Sequence, residues 1–189
     1  MRLQDSERAS LNIAMDRYAD GNDKAFGEVY DLLAPRLLGY FGRQTGDSAL
    51  AEDLAQQTLL QMHAARRNYA TGSDVLPWAF AIARNVLIDA RRRSRKEFLA
   101  IAPDDDDADG LDRRVDRSSN PEGTAISRQM AEVMHQEMLQ LPDGQRAAFD
   151  LVRGEGLSVA ETAEVLGTTR TAVKLRVHRV YEALRSVLR

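Results

Sequence analysis

The chain has 189 residues, with 26 Lys and Arg against 29 Asp and Glu, and 43% of its residues are apolar. That length holds one ordinary domain or two small ones, and the balance is that of a folded protein rather than a disordered one. There is no Cys, which excludes disulfides, thiolate metal sites, iron–sulfur clusters and a Cys nucleophile.

The N-terminal Met-Arg-Leu-Gln-Asp-Ser-Glu is polar and charged. It lacks the apolar core of a signal peptide, and no apolar run approaches the ~20 residues needed to cross a bilayer. A cytoplasmic protein with no membrane insertion is expected. The spacing predicts a first helix over 23–45, with Phe26, Val29, Tyr30, Leu33, Leu37, Leu38 and Phe41 on one face and Pro35 as an interruption. Gly46-Asp47-Ser48 supplies a break and a new N-cap. A second helix, about 48–66, is predicted to bury Leu50, Leu54, Thr58, Leu59 and Met62. Thr71-Gly72-Ser73-Asp74 reads as a loop, and Pro77 suits the first turn of a helix running to about Arg95. Trp78, Phe80, Ile82, Val86 and Leu87 form its apolar side.

Charge is unevenly spread. Residues 1–102 carry 14 basic and 13 acidic groups, residues 103–145 carry 4 and 11, and residues 146–189 carry 8 and 5. The acidic middle opens with Pro103-Asp-Asp-Asp-Asp-Ala-Asp-Gly. Like charges repel there and little apolar surface is available to bury, so 103–120 reads as a flexible linker between residues 1–102 and 121–189. A solvated loop within one domain is the other reading. After it, Asn120-Pro121 caps a helix to about Gln140, and Pro142-Asp143 starts a short one through Phe149 and Val152, stopped at Gly154-Glu-Gly156. The fold class is all-α: two small helical domains.

The most informative stretch is 158–179. Ser158-Val-Ala-Glu161 has capping-box spacing, Gly167 permits a left-handed turn, and a longer basic helix follows. This is a helix-turn-helix pattern. Ala163 sits where the two helices cross. Val173, Val177, Val180 and Leu184 face inward, which leaves Arg170, Thr171, Lys174, Leu175, His178 and Arg179 outward. Such a face can enter a major groove, with Lys and Arg on guanine or phosphate and Leu175 against a thymine methyl. The same residues also suit an ordinary helical hairpin with a solvated basic side.

A second constellation surrounds the helix from Pro77. Arg84, Arg91, Arg92, Arg93, Arg95 and Lys96 fall within thirteen residues, and Tyr69 lies in the polar loop just before. Aromatic rings beside a basic helix are what a single-stranded nucleic acid needs, because bases stack on them while phosphates meet the cations. Taken alone, the stretch fits buried hinge aromatics (Tyr69 and Trp78) and a solvated Arg face equally well.

Together the two stretches resemble the extracytoplasmic-function group of bacterial sigma factors. The first half carries Asp23-Lys-Ala-Phe26, Tyr30, Gly46-Asp47, Ala51-Glu-Asp-Leu-Ala-Gln-Gln-Thr58, Trp78, Ala81-Ile-Ala-Arg-Asn85, Ile88-Asp89 and the Arg run. The second carries Leu141-Pro142-Asp143, Gln145-Arg146, Gly156-Leu-Ser158, Glu161, Ala163, Leu166-Gly167, Val173-Lys174, Arg176 and His178-Arg179. The resemblance implies binding to core RNA polymerase through Asp53, Gln56, Gln57 and Leu60. It implies capture of an unstacked −10 base by the loop at Tyr69–Pro77, Trp78 and Asn85, with Arg84, Arg91, Arg92 and Arg93 on phosphates. It implies duplex reading at −35 by the outward face of the last helix, and a linker threading the polymerase's RNA channel. No cofactor or metal is implied. An anti-sigma factor is an expected partner, as a separate chain because no extension follows Arg189.

Three positions depart from the family's usual pattern: Thr171-Ala172 for Gly-Thr, Leu175 for Ser, and Thr162 for Ile. The −35 sequence preference therefore does not carry over. A conventional helix-turn-helix regulator, binding duplex DNA without polymerase, is the competing reading. An enzyme built on Glu52 and Asp53 is disfavoured: adjacent residues point to different parts of a helix, and no base or phosphate-cradling loop is near. His63, His135 and His178 have no zinc-ligand spacing.

Overall fold

The computed structural model describes the backbone over residues 5–101 and 125–187, and side chains over 6–97 and 133–186. The acidic segment 103–120, expected to be a flexible linker, and the helix start at Pro121 lie outside the described residues. Every described element is helical. The N-terminal lobe comprises α1 (Asp5–Ala19), α2 (Phe26–Thr45), α3 (Ser48–Ala65) and α4 (Val75–Ile101). The C-terminal lobe comprises α5 (Ala125–Gln140), α6 (Asp143–Phe149), α7 (Val159–Val165) and α8 (Arg170–Val187).

Local chemistry explains the breaks. Gly46 ends α2 in the left-handed region at φ 70°, and the Asp47 carboxylate accepts the Leu50 N–H at 3.0 Å to start α3. Helix α2 continues through Pro35 without a break. The Asp74 carboxylate accepts the Leu76 N–H at 3.2 Å and opens α4, with Pro77 in the first turn, where a missing N–H costs nothing. Residues Asp150–Gly154 form a π-helical turn, in which the Glu155 N–H reaches five residues back to the Asp150 carbonyl at 2.8 Å.

Packing differs from the sequence expectation at several positions. Helix α1, for which periodicity gave no element, buries Leu11, Ala14, Met15 and Tyr18. Leu50, Tyr30 and Leu38, predicted inside, are exposed, and Tyr40 and Ala34 take inner positions on α2. The two lobes do not keep separate cores. One apolar cluster runs from Leu11 and Leu33 through Val86 to Leu151, Leu157, Ala163 and Val173, and α4 packs on α7.

Thr162, which stands where the family usually has Ile, is fully buried, and its hydroxyl has no hydrogen-bond partner. An unsatisfied buried hydroxyl costs about 1–3 kcal/mol. Thr162→Val keeps the shape and removes that cost, so it is expected to raise stability by about 1 kcal/mol in a denaturant melt. A loss of similar size would show that the hydroxyl is bonded in solution.

Candidate nucleic-acid interface

Helix α3 turns Leu54, Ala55, Thr58, Leu59 and Met62 inward. Asp53, Gln56 and Leu60 are left outward, with Gln57 half-buried. Leu60 is 69% exposed, an apolar side chain held in water on an otherwise polar face. Exposure of this kind suits a docking contact more than a fold contact.

Along α4, Trp78, Asn85 and Arg92 follow at steps of seven residues, so they fall in one line at intervals of about 10 Å. Trp78 is half-buried, and Asn85, Arg92 and Arg93 are exposed. Arg84 and Arg91 run beside them, both half-buried. The sequence offered Tyr69 as a base-stacking ring, but here it is 6% exposed. It lies against Trp78 with ring centroids 5.2 Å apart, and its hydroxyl donates to the Ser73 carbonyl at 2.5 Å. Burial, with Asp16 and Asp74 nearby, pushes its phenol up, so the proton that makes this bond stays in place. In this conformation Tyr69 supports the loop and Trp78, and the exposed tip is Ala70–Ser73.

The helix-turn-helix forms as its spacing predicts. Ser158 accepts the Glu161 N–H at 3.1 Å and the Glu161 carboxylate accepts the Ser158 N–H at 2.6 Å. Gly167 adopts φ 57°. Val173, Val177, Val180 and Leu184 are buried. Arg170, Thr171, Lys174, Leu175, His178 and Arg179 are all exposed along one face of α8, and Leu175 is 47% exposed.

Between the lobes lies a set of ion pairs that local spacing does not reveal. The N-terminal lobe supplies the cations and the C-terminal lobe the anions. Arg43 reaches Asp150 at 3.1 Å and Glu155 at 2.6 Å. Arg36 reaches the Glu155 carboxylate at 3.1 Å and donates to its carbonyl at 2.7 Å. Arg91 pairs with Asp143 at 2.5 Å and donates to the Gln44 carbonyl at 3.0 Å. Arg8 pairs with Asp74 in its own lobe and with Glu161 at 2.7 Å in the other. Fully buried Gln44 bonds to Asp150 and accepts from Arg146 at 3.4 Å.

Burial pushes the Asp150 and Glu155 carboxyls up, against the opposing pull of Arg43 and Arg36. Desolvation acts the same way on Glu161, but the Ser158 cap and Arg8 outweigh it and hold that carboxyl below its ordinary value. Three of the candidate lobe's acidic groups thus face inward while its basic groups on α8 face out. Arg91, expected on promoter phosphate, is engaged with Asp143 in this arrangement.

Comparison with known proteins bears on the whole chain. Residues 29–97 match the family described as Sigma-70 region 2, and residues 131–184 match Sigma-70, region 4. The chain is 35% identical over 181 residues to the ECF RNA polymerase sigma factor SigF of Caulobacter vibrioides, covering 95% of this chain and 94% of that one. This chain belongs to the extracytoplasmic-function sigma factors. Proteins of this family bind core RNA polymerase and direct promoter-specific initiation. The sigma factor is also 34% identical over 174 residues to the RNA polymerase sigma factor CarQ of Myxococcus xanthus, covering 92% of this chain and 95% of that one. The fold is similar to that of the sigma factor RpoE from Bartonella quintana, solved with the anti-sigma factor NepR. The TM-score is 0.71 at 23% identity over 87% of this chain and 97% of that one. It also resembles CnrH, solved with the cytosolic domain of CnrY, at TM-score 0.67 and 21% identity over 95% and 97% of the two chains. Among the described residues, no helix of the sigma factor is long and apolar enough to cross a membrane.

Proposed function

We propose that this sigma factor divides its work between two units, residues 1–102 and 121–189, joined by the acidic segment 103–120. Asp53, Gln56, Gln57 and Leu60 dock on core polymerase. The loop before α4, with Trp78 and Asn85, captures a −10 base from the melted strand, while Arg84, Arg91, Arg92 and Arg93 hold its phosphates. Tyr69 acts from beneath as the support of that pocket. Arg170, Thr171, Lys174, Leu175, His178 and Arg179 read −35 as duplex. The chain performs no bond chemistry itself; the polymerase does. It works in the cytoplasm, where an anti-sigma factor is its partner. One solved protein of this fold carries a partner of that kind, RpoE with NepR.

The observation that carries this reading is the pair of unlike exposed faces on one chain. The Trp78–Asn85–Arg92 line suits an unstacked strand, and the α8 face suits a major groove. A regulator of duplex DNA alone has no use for the first. The test is promoter binding with and without core polymerase, on duplex DNA and on DNA pre-melted at −10. Binding that requires polymerase is expected, together with loss of at least tenfold on Asn85→Ala for the pre-melted template and on Asp53→Ala for polymerase. Tight specific duplex binding by the protein alone, indifferent to polymerase, would leave the conventional regulator instead.

A further inference from the structure

Helix α1 lies upstream of the segment matched to Sigma-70 region 2, yet it is bound to the loop that region uses. Three polar side chains at four-residue intervals, Arg8, Asn12 and Asp16, fall on one side of α1. Each engages the loop before α4 or its junction with that helix. The Asp16 carboxylate accepts the Gly72 N–H at 2.9 Å. The Asn12 side-chain oxygen accepts the Val75 N–H at 3.0 Å. The Arg8 guanidinium pairs with Asp74, the residue that opens α4. Asp16, nearer the C-terminal end of α1, meets Gly72, while Asn12 and Arg8, nearer its start, meet Val75 and Asp74, so the chain runs back along α1 from the loop tip to the start of α4.

None of these three side chains is needed to seat α1, because Leu11, Ala14, Met15 and Tyr18 do that from its buried side. Apart from the second pair that Arg8 makes with Glu161, their bonds go to this loop and its junction with α4, and the loop's tip is exposed. Gly72 is at φ 83°, a left-handed conformation that favours glycine, and its amide is the one Asp16 receives. The Tyr69 hydroxyl bonds Ser73 from the other side. Within Tyr69–Val75, backbone groups of residues 72, 73 and 75 are therefore fixed by side chains before any ligand arrives. A loop ordered in advance does not lose affinity to ordering when it binds, and it can discriminate bases by a fixed shape.

We propose that α1 is a positioning element for base capture, acting through Asn12 and Asp16 on the backbone of the loop. This rests on the reading that the loop receives a melted −10 base. Arg8 is a third rung, but it is shared with Glu161 of the other lobe, so the test leaves it in place.

The full-length protein is assembled with core polymerase and titrated with DNA pre-melted at −10, carrying either the preferred base or a substituted one at the captured position. The readout is the ratio of the two affinities. The double variant Asn12→Ala/Asp16→Ala is expected to lower that ratio about tenfold, with duplex −35 binding and the thermal melt unchanged. Asp16→Asn retains an acceptor oxygen for the Gly72 N–H and is expected to keep the ratio. An unchanged ratio in the double variant overturns the proposal, and so does Asp16→Asn failing as badly as Asp16→Ala. If the double variant shifts the melt, single Asp16→Ala, which removes one bond, is read by the same ratio. Failure of the base-capture reading looks different: the unmodified holoenzyme then shows no base preference, or Asn85→Ala leaves it intact, and the proposal falls with it.

Discussion

Arg146→Ala is expected to destabilise the C-terminal lobe by about 3–5 kcal/mol, the cost of removing one partner from a buried charge network. The guanidinium is fully buried. It donates to the carbonyls of Met138, Leu139 and Leu141 at 3.1, 2.8 and 3.4 Å, to Asp143 at 2.5 Å and to Gln44 at 3.4 Å. One side chain thus closes the C-terminus of α5, where a cation also meets the negative end of the helix. It holds the first turn of α6 and touches the other lobe. Without it, three carbonyls lose a donor and Gln44 loses its link. Because whole domains are stable by only ~5–15 kcal/mol, the lobe is expected to melt far earlier in guanidinium. Arg146→Lys supplies charge but lacks the planar fork, so it should restore only part of the loss. A shift under about 1 kcal/mol for the alanine variant would contradict the assignment.

Arg43→Ala should act between the lobes rather than within one. It strips the principal cation from buried Asp150 and one of two cations from buried Glu155, which keeps Arg36. Arg43 is 38% exposed, so we expect about 2–3 kcal/mol rather than the full value for a wholly buried pair. That is a change of roughly 30- to 150-fold in the docking equilibrium. A fluorophore pair with one dye on each lobe should report a longer mean distance, while the helical signal is retained. The same pair reads the effect of pH. The docked state holds the Asp150 and Glu155 carboxyls above their ordinary 3.8 and 4.5, so docking takes up protons. Their contribution is full below those values and is lost as pH rises through the raised ones. Acidification toward those ordinary values should therefore favour the docked form. Glu161, held low, works in the opposite sense only below its ordinary 4.5. A docked fraction that falls as the pH is lowered toward 4.5, or a distance unchanged by Arg43→Ala, would contradict the assigned roles.

Much of this was legible in the sequence, for reasons that can be named. The helix-turn-helix declares itself through local chemistry: a Ser158–Glu161 box, Gly167 where the chain turns left-handed, and a 3.6-residue stripe from Val173 to Leu184. Its six outward residues follow from that stripe alone. Helix α1 was harder to see, because two of its four buried residues are Ala14 and Met15, a weak apolar signal. Tyr69 was read by residue type, and type does not tell a ring that stacks on a base from one that props a tryptophan. The lobe interface was out of reach. Arg43 and Asp150 are 107 residues apart, and no periodicity marks which arginine meets which carboxylate. One trace was present: residues 146–189 carry 8 basic and 5 acidic groups, and most of the acidic ones come before the basic helix.

Helices α4 and α7 pack on each other in this arrangement, which sets a geometric limit. Elements named −10 and −35 are about 25 base pairs apart, roughly 85 Å along B-form DNA at ~3.4 Å per pair. Lobes in contact cannot straddle that distance. The docked molecule has to open before it spans both elements, so the stability of its interface is a tax on every initiation event. Core polymerase must supply the undocking free energy before a promoter can be engaged. A tighter interface raises the polymerase concentration at which the regulon responds, and a looser one lowers it. Selection on Arg36, Arg43 or Glu155 can therefore tune transcriptional output without altering a residue that touches DNA.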